Sequence, residues 1–141
     1  MKLLIINGPN LNMLGIREPA IYGSQNFDSL CRFIEDKAAE LGIEVELFQS
    51  NSEGDIVTRI QQAYGRMDGI VINPAAYTHT SVALHDCIRS LKAPVIEVHI
   101  SNVHTREEFR HHSMISAACR GVIAGFGLTS YRLAVEALVH P

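Results

Sequence analysis

The chain has 141 residues, a length that suits one domain, residues 1–141, with one sizeable core. Apolar residues make up 47% and charged residues 19%, and the formal net charge is −3. That is the balance of a globular protein, with no excess of positive charge to favour nucleic acid or an anionic membrane surface. No apolar run approaches the roughly 20 residues of a membrane span. Met1-Lys2 leads straight into a short apolar run without a small-residue cleavage site, so no leader peptide is expected. Cys31, Cys87 and Cys119 are odd in number and widely spaced. They argue against a disulfide framework or a clustered metal site and for a reducing, cytoplasmic location.

Along the chain, short β-branched runs alternate with segments of helical spacing, without internal repeats or linkers. Leu3-Leu4-Ile5-Ile6 reads as the first strand. Phe27, Leu30, Cys31, Ile34, Ala38 and Leu41 form the apolar stripe of a helix that Gly42 closes. Ile43–Phe48 is the second strand, followed by a helix on Ile56, Ile60, Ala63 and Tyr64 that ends at Gly65. Ile70–Ile72 is the third strand, and Leu84, Cys87, Ile88 and Leu91 mark a helix stopped before Pro94. Val95–Val98 is the fourth strand, and residues 104–118 predict a short helix around Thr105–Arg110 and then an irregular stretch. Val122–Ala124 is the fifth strand, and Leu128, Tyr131, Val135, Leu138 and Val139 form the last helical stripe.

Five strands separated by helices, with no hairpin signal, predict a doubly wound α/β fold with a five-stranded parallel sheet. The flavodoxin-like strand order 2-1-3-4-5 fits this length best. Ligands in such sheets bind beyond the carboxyl ends of the strands, at the switch point between strands 1 and 3. The segments to read are therefore Asn7-Gly8-Pro9-Asn10 with the REPAIYG loop (17–23), Asn73 to His79, and Glu97 to Asn102.

Several chemistries are excluded. The chain has no GxxxxGK[ST] loop, no GxGxxG spacing and no GxSxG elbow. Lys2, Lys37 and Lys92 are not placed for a Schiff base. His111-His112 are adjacent and would diverge on a helix, which disfavours a metal site.

What remains is acid–base chemistry with Tyr, Arg and His. A guanidinium about 4 Å from a phenol favours the phenolate by up to about 4 kcal/mol at an effective dielectric near 20, enough to make the phenol a base near neutral pH. Arg17 and Tyr22 have the spacing for this, between Gly15 and Gly23 as hinges and with Pro19 as a stiffener. A plain surface loop with an anchoring Tyr fits the spacing as well. His99 follows Glu97 by two residues, so both side chains share a strand face and the carboxylate can fix the imidazole. A histidine packed into the core is the alternative. Asn10 can donate a hydrogen bond to a developing enolate, directly or through a water, and Asn73, Ser101 and nearby amides can hold a carboxylate. Loop caps and Asx turns explain the same residue types. Asp86 and Arg89 lie off their helix stripe, on a face that is either solvated or turned toward a neighbouring subunit.

The stretches INGPNLNMLGIREPAIYG (6–23), NPAAYTHTSVALHD (73–86) and EVHISNVHTREEFRHHS (97–113) resemble the type II 3-dehydroquinate dehydratases. The resemblance covers essentially the whole chain. It implies a flavodoxin-like enzyme that converts 3-dehydroquinate to 3-dehydroshikimate through an enolate, in the shikimate pathway, with no metal or organic cofactor. It implies Tyr22 as the base, Arg17 as the residue that favours its phenolate, Asn10 at the enolate water and His99 as the acid oriented by Glu97. It assigns Asn73 and the Ile100 and Ser101 amides to the substrate carboxylate, and His79 and Arg110 to the ring hydroxyls. It makes the protein a homododecamer, a tetramer of trimers, with Asp86 reaching the neighbouring subunit's site. One departure is Ala75, where the family usually has Gly: a positive φ there would strain Ala. A flavodoxin-like binding module for FMN or another small anion, without catalysis, is the alternative.

Overall fold

In the computed structural model of the chain, residues 1–16 and 25–141 are described. Five parallel strands form one sheet in the order β2-β1-β3-β4-β5. They are β1 (Lys2–Asn7), β2 (Glu44–Gln49), β3 (Gly69–Asn73), β4 (Val95–His99) and β5 (Gly121–Ala124). The helices are α1 (Phe27–Leu41), α2 (Glu53–Gln62), α3 (Val82–Arg89) and α4 (Thr129–Val139). This is the predicted flavodoxin-like arrangement, and no described helix is long and apolar enough to cross a membrane.

The pleat of β1 divides the core. Leu3 and Ile5 point to one face and pack with Leu30 and Ile34 of α1 and Tyr131, Ala134, Val135 and Leu138 of α4. Leu4 and Ile6 point to the other, with Ile56 and Ile60 of α2 and Leu84, Cys87 and Ile88 of α3. Alternation with period two thus makes a strand that is apolar throughout the natural centre of a sheet covered on both sides. The helix starts are set locally. Asn26 caps α1 by accepting from the Ser29 amide at 2.8 Å, Ser52 caps α2 through the Asp55 amide, and Ser81 caps α3 through the Leu84 amide. Gly42 closes α1 as predicted, with φ 67°.

Three local expectations need correction. The helix expected around Thr105–Arg110 is two 3-10 turns, Val103–Thr105 and Glu108–His111. Asn102 caps the first turn through the His104 amide, and the ladder breaks at Arg106, whose backbone is extended between the two turns. Tyr64 does not belong to the apolar stripe: α2 ends at Gln62, and Tyr64 is 57% exposed. Leu91 lies beyond α3, which ends at Arg89; the Ser90 hydroxyl donates to the Cys87 carbonyl at 2.6 Å at this end.

The loops that build the site are tightly held. The Gly8 amide donates to the Asn73 carbonyl at 2.8 Å, joining the turns after β1 and β3. A Cβ on Gly8 would stand 2.5 Å from the Pro74 carbonyl oxygen. Gly15 has φ 88°, and a Cβ there would lie 2.9 Å from the Gln25 carbonyl oxygen. Its positive φ and this close packing both call for glycine. Gly8→Ala is expected to cost about 1–3 kcal/mol of stability, the usual range for overpacking. A urea midpoint equal to that of the parent protein would show that the two turns need not approach so closely.

Candidate active site

The polar residues at the carboxyl ends of the central strands are brought together by register. Asn7 pairs with Asn73 across β1 and β3, and Ile72 pairs with Glu97 across β3 and β4, which carries His99 to the same rim. A pocket opens there, lined by Asn10, Asn73, His79, His99, Ile100, Ser101 and Arg110, together with Pro9, Leu11, Ala75, Ala76, Val103 and Arg106. None of Lys2, Lys37 and Lys92 lines it. Asp86 is exposed on α3 and does not line this pocket. Arg17 and Tyr22, with Pro19 and Gly23, lie outside the described residues.

Glu97 and His99 form the buried centre. Glu97 Oε2 accepts from His99 Nε2 at 2.6 Å, and the two residues are 1% and 7% exposed. The other carboxylate oxygen accepts from the Ser113 hydroxyl at 2.9 Å and the Ser116 hydroxyl at 2.8 Å. Burial pushes the Glu97 carboxyl up, but the bond and charge of His99 and the two serine hydroxyls outweigh it and hold the group below the usual carboxylate range. The Cys119 thiol nearby is pushed up to about 12 by burial and by the Glu97 charge. An ionised carboxylate can only accept, so Nε2 of His99 carries its hydrogen and Nδ1 remains for the pocket.

His79 is fixed in the same way. Its Nδ1 meets the His112 carbonyl at 2.7 Å and must therefore donate, which leaves Nε2 as an acceptor in the neutral ring. Burial holds its pKa below the ordinary value; the His112 bond opposes this, and the charges of Arg110 and His99 reinforce it. Arg110 stacks over the Phe109 ring at 5.0 Å and pairs with Glu107 at 3.3 Å. With Arg106 on the same wall, the pocket presents cationic and hydrogen-bonding groups suited to a small anion carrying hydroxyls.

The turns around it are constrained. Asn10 adopts φ 70°, and its amide donates to Asn51 Oδ1 at 3.0 Å. Gln49 Nε2 holds the Gly8 carbonyl at 3.2 Å. Ala75 has φ 53°, the positive value under which a non-glycine residue is strained. Its amide donates to Asn73 Oδ1 at 3.1 Å. Among the described residues no group of three or more His, Cys, Asp or Glu side chains is arranged to hold a metal ion.

Sequence reasoning missed Ser113, Ser116, Arg106, Asn7 and Tyr131 as parts of this site. The serines fall in the stretch read as irregular. Their signal would have been the need of a buried Glu97 for donors beyond His99.

Removing both serine hydroxyls should expose the cost of burying Glu97. The depressed carboxyl contributes stability that is present above its unfolded value and lost as pH falls through the folded one. The Ser113→Ala/Ser116→Ala double variant is expected to lose about 3–6 kcal/mol near neutral pH, for two bonds to a charged group at about 1.5–3 kcal/mol each. It should also unfold at higher pH than the parent protein during acid titration followed by circular dichroism. Coincident acid transitions would mean that the hydroxyls do not stabilise the carboxylate.

A family model described as dehydroquinase class II matches residues 1–139. The 3-dehydroquinate dehydratase of Caldicellulosiruptor bescii is 58% identical over 138 residues, covering 97% of this chain and 95% of that protein. The one from Lachnospira eligens is 57% identical over 141 residues, covering 99% and 96%. The crystal structure of the type II dehydroquinase from Butyrivibrio crossotus superposes with a TM-score of 0.96 at 53% identity, covering 98% of this chain and 97% of that one. Matches of this extent, with the same fold and a pocket at the switch point, establish that the chain belongs to the class II dehydroquinase family.

Proposed function

We propose that this chain is a 3-dehydroquinate dehydratase, a hydro-lyase that converts 3-dehydroquinate to 3-dehydroshikimate, as the shikimate pathway requires. The observation that carries this reading is the pocket at the carboxyl ends of β1, β3 and β4, where His99, backed by Glu97, faces Asn10, Asn73, His79 and Arg110.

The mechanism follows from the chemistry of these groups. Tyr22, as the phenolate favoured by Arg17, removes the proton next to the ketone. The support for this pair is the sequence match alone. Asn10, directly or through a water, donates a hydrogen bond to the enolate oxygen, where negative charge develops. The enolate then collapses and the carbon–hydroxyl bond breaks; His99, acting as the imidazolium with its Nε2 hydrogen still on Glu97, gives its Nδ1 hydrogen to the hydroxyl, which leaves as water. The new double bond is conjugated with the ketone. Asn73 Nδ2 and the Ile100 and Ser101 amides hold the substrate carboxylate, while His79 and Arg110 engage the ring hydroxyls. Hydrogen bonding alone stabilises the enolate, so the scheme uses neither metal nor organic cofactor.

The whole of residues 1–141 acts as one catalytic domain in this reading, in the cytoplasm. Its assembly is a dodecamer of four trimers, in which Asp86 completes a neighbour's pocket. The support for the Asp86 role is its exposure on α3, away from the pocket of its own chain. The binding-module alternative is not favoured by full-length likeness to named dehydratases.

Adding 3-dehydroquinate to the purified protein should produce the absorbance of a conjugated enone, and a yellow, flavin-loaded preparation without turnover would support the alternative. Tyr22→Phe and His99→Ala should each lower kcat by about 10²–10⁴-fold, the usual contribution of a general base or acid, while KM changes little. Retained turnover in either variant would require another base or acid. Asp86→Ala should leave the subunit folded and lower activity in the assembled enzyme, with light scattering reporting the mass.

A further inference from the structure

We infer that Tyr131, with Asn7, is a positioning residue that holds the Asn73 carboxamide in place opposite the Ala75 amide and so keeps its second N–H available to a ligand. The inference rests on the reading of Asn73 as a carboxylate ligand.

Tyr131 comes from α4 and is fully buried beneath the pocket. Its hydroxyl donates to Asn7 Oδ1 at 2.6 Å and accepts from Asn73 Nδ2 at 2.8 Å. The Asn73 Oδ1 accepts from the Ala75 amide at 3.1 Å. The Ala75 amide can only donate, so Asn73 turns Oδ1 to it and Nδ2 to Tyr131. The phenol oxygen accepts that hydrogen and gives its own to Asn7 Oδ1. A side-chain amide has two N–H donors, and only one is spent on Tyr131. Asn73 lines the pocket while 4% exposed, so its second hydrogen offers a donor to an anionic oxygen.

Burial raises the Tyr131 phenol far above its ordinary value; the Asn73 bond opposes this, and the charge of Cys31 adds to it. The hydroxyl therefore keeps its hydrogen throughout the working pH range. Asn7 is 0% exposed, and its Nδ2 has no hydrogen-bond partner among the described residues. The phenol of Tyr131 serves neither as base nor as acid. It acts through Asn73, at the end of a relay that joins α4, β1 and β3.

Tyr131→Phe keeps the buried ring and removes only the relay hydroxyl. Measured on the full-length assembled enzyme with 3-dehydroquinate, it is expected to raise KM by about tenfold, the factor that 1.4 kcal/mol represents, with kcat within about threefold of the parent. Such a split reports lost ground-state binding and not lost chemistry. Asn73→Ala is expected to raise KM at least as much. In the Tyr131→Phe/Asn73→Ala double variant, the Tyr131 effect should vanish, because its target is gone. A purely structural tyrosine would instead add its full effect in both backgrounds, and that result overturns the inference. So does an unchanged KM in Tyr131→Phe when Asn73→Ala raises it. If Asn73→Ala itself leaves KM unchanged, the carboxylate reading of Asn73 fails and this inference falls with it. Should Tyr131→Phe not fold, Asn7→Ala breaks the relay from its other end, and the same cycle with Asn73→Ala decides the matter.

Discussion

A carboxylate that is 1% exposed must be given donors, and the site is arranged around meeting that demand at Glu97. Three side chains do so: His99 on one oxygen, Ser113 and Ser116 on the other. In return the carboxylate fixes the imidazole, since it dictates which ring nitrogen carries hydrogen and which faces the pocket. The same demand orders the segment after the 3-10 turns, because Ser113 Oγ also accepts from the Ile115 and Ser116 amides at 3.2 and 3.1 Å. The stretch that leads into the 3-10 turn Ser116–Ala118 is thereby tied to the central sheet.

The rest of the pocket obeys a related rule. Two polar side chains that line it, His79 and Asn73, have their other end held by a partner that sets their orientation. His79 is set by a carbonyl, Asn73 by a phenol and an amide, and the Asn10 turn by Asn51. Such groups are oriented before a ligand arrives, so binding need not reorganise them. The strained Ala75 fits this picture, since its left-handed backbone delivers the amide that holds Asn73 Oδ1.

The fold was legible in the sequence because burial on both faces turns β1 and β3 into unbroken apolar runs between amphipathic helices. The rim was legible because the strand ends carry Asn, His and Ser where ordinary turn residues would do. What escaped was the support behind the rim. Tyr131 reads as one more apolar position on the last helix, and its hydroxyl finds Asn7 across 124 residues of chain. No periodicity carries that information. Ser113 and Ser116 look like ordinary loop serines until the burial of Glu97 is known. The helix expected near Thr105 is interrupted at Arg106, whose backbone is extended between the two turns.

The central claim is that donors fixed at the carboxyl ends of β1, β3 and β4 receive a small hydroxylated carboxylate in one orientation. A crystal structure of the protein with 3-dehydroshikimate tests it most directly. The account predicts the carboxylate on Asn73 Nδ2 and the Ile100 and Ser101 amides, the ring hydroxyls at His79 and Arg110, and Nδ1 of His99 turned toward the ring. A carboxylate bound elsewhere, with Asn73 unengaged and His99 Nδ1 turned away, would contradict it.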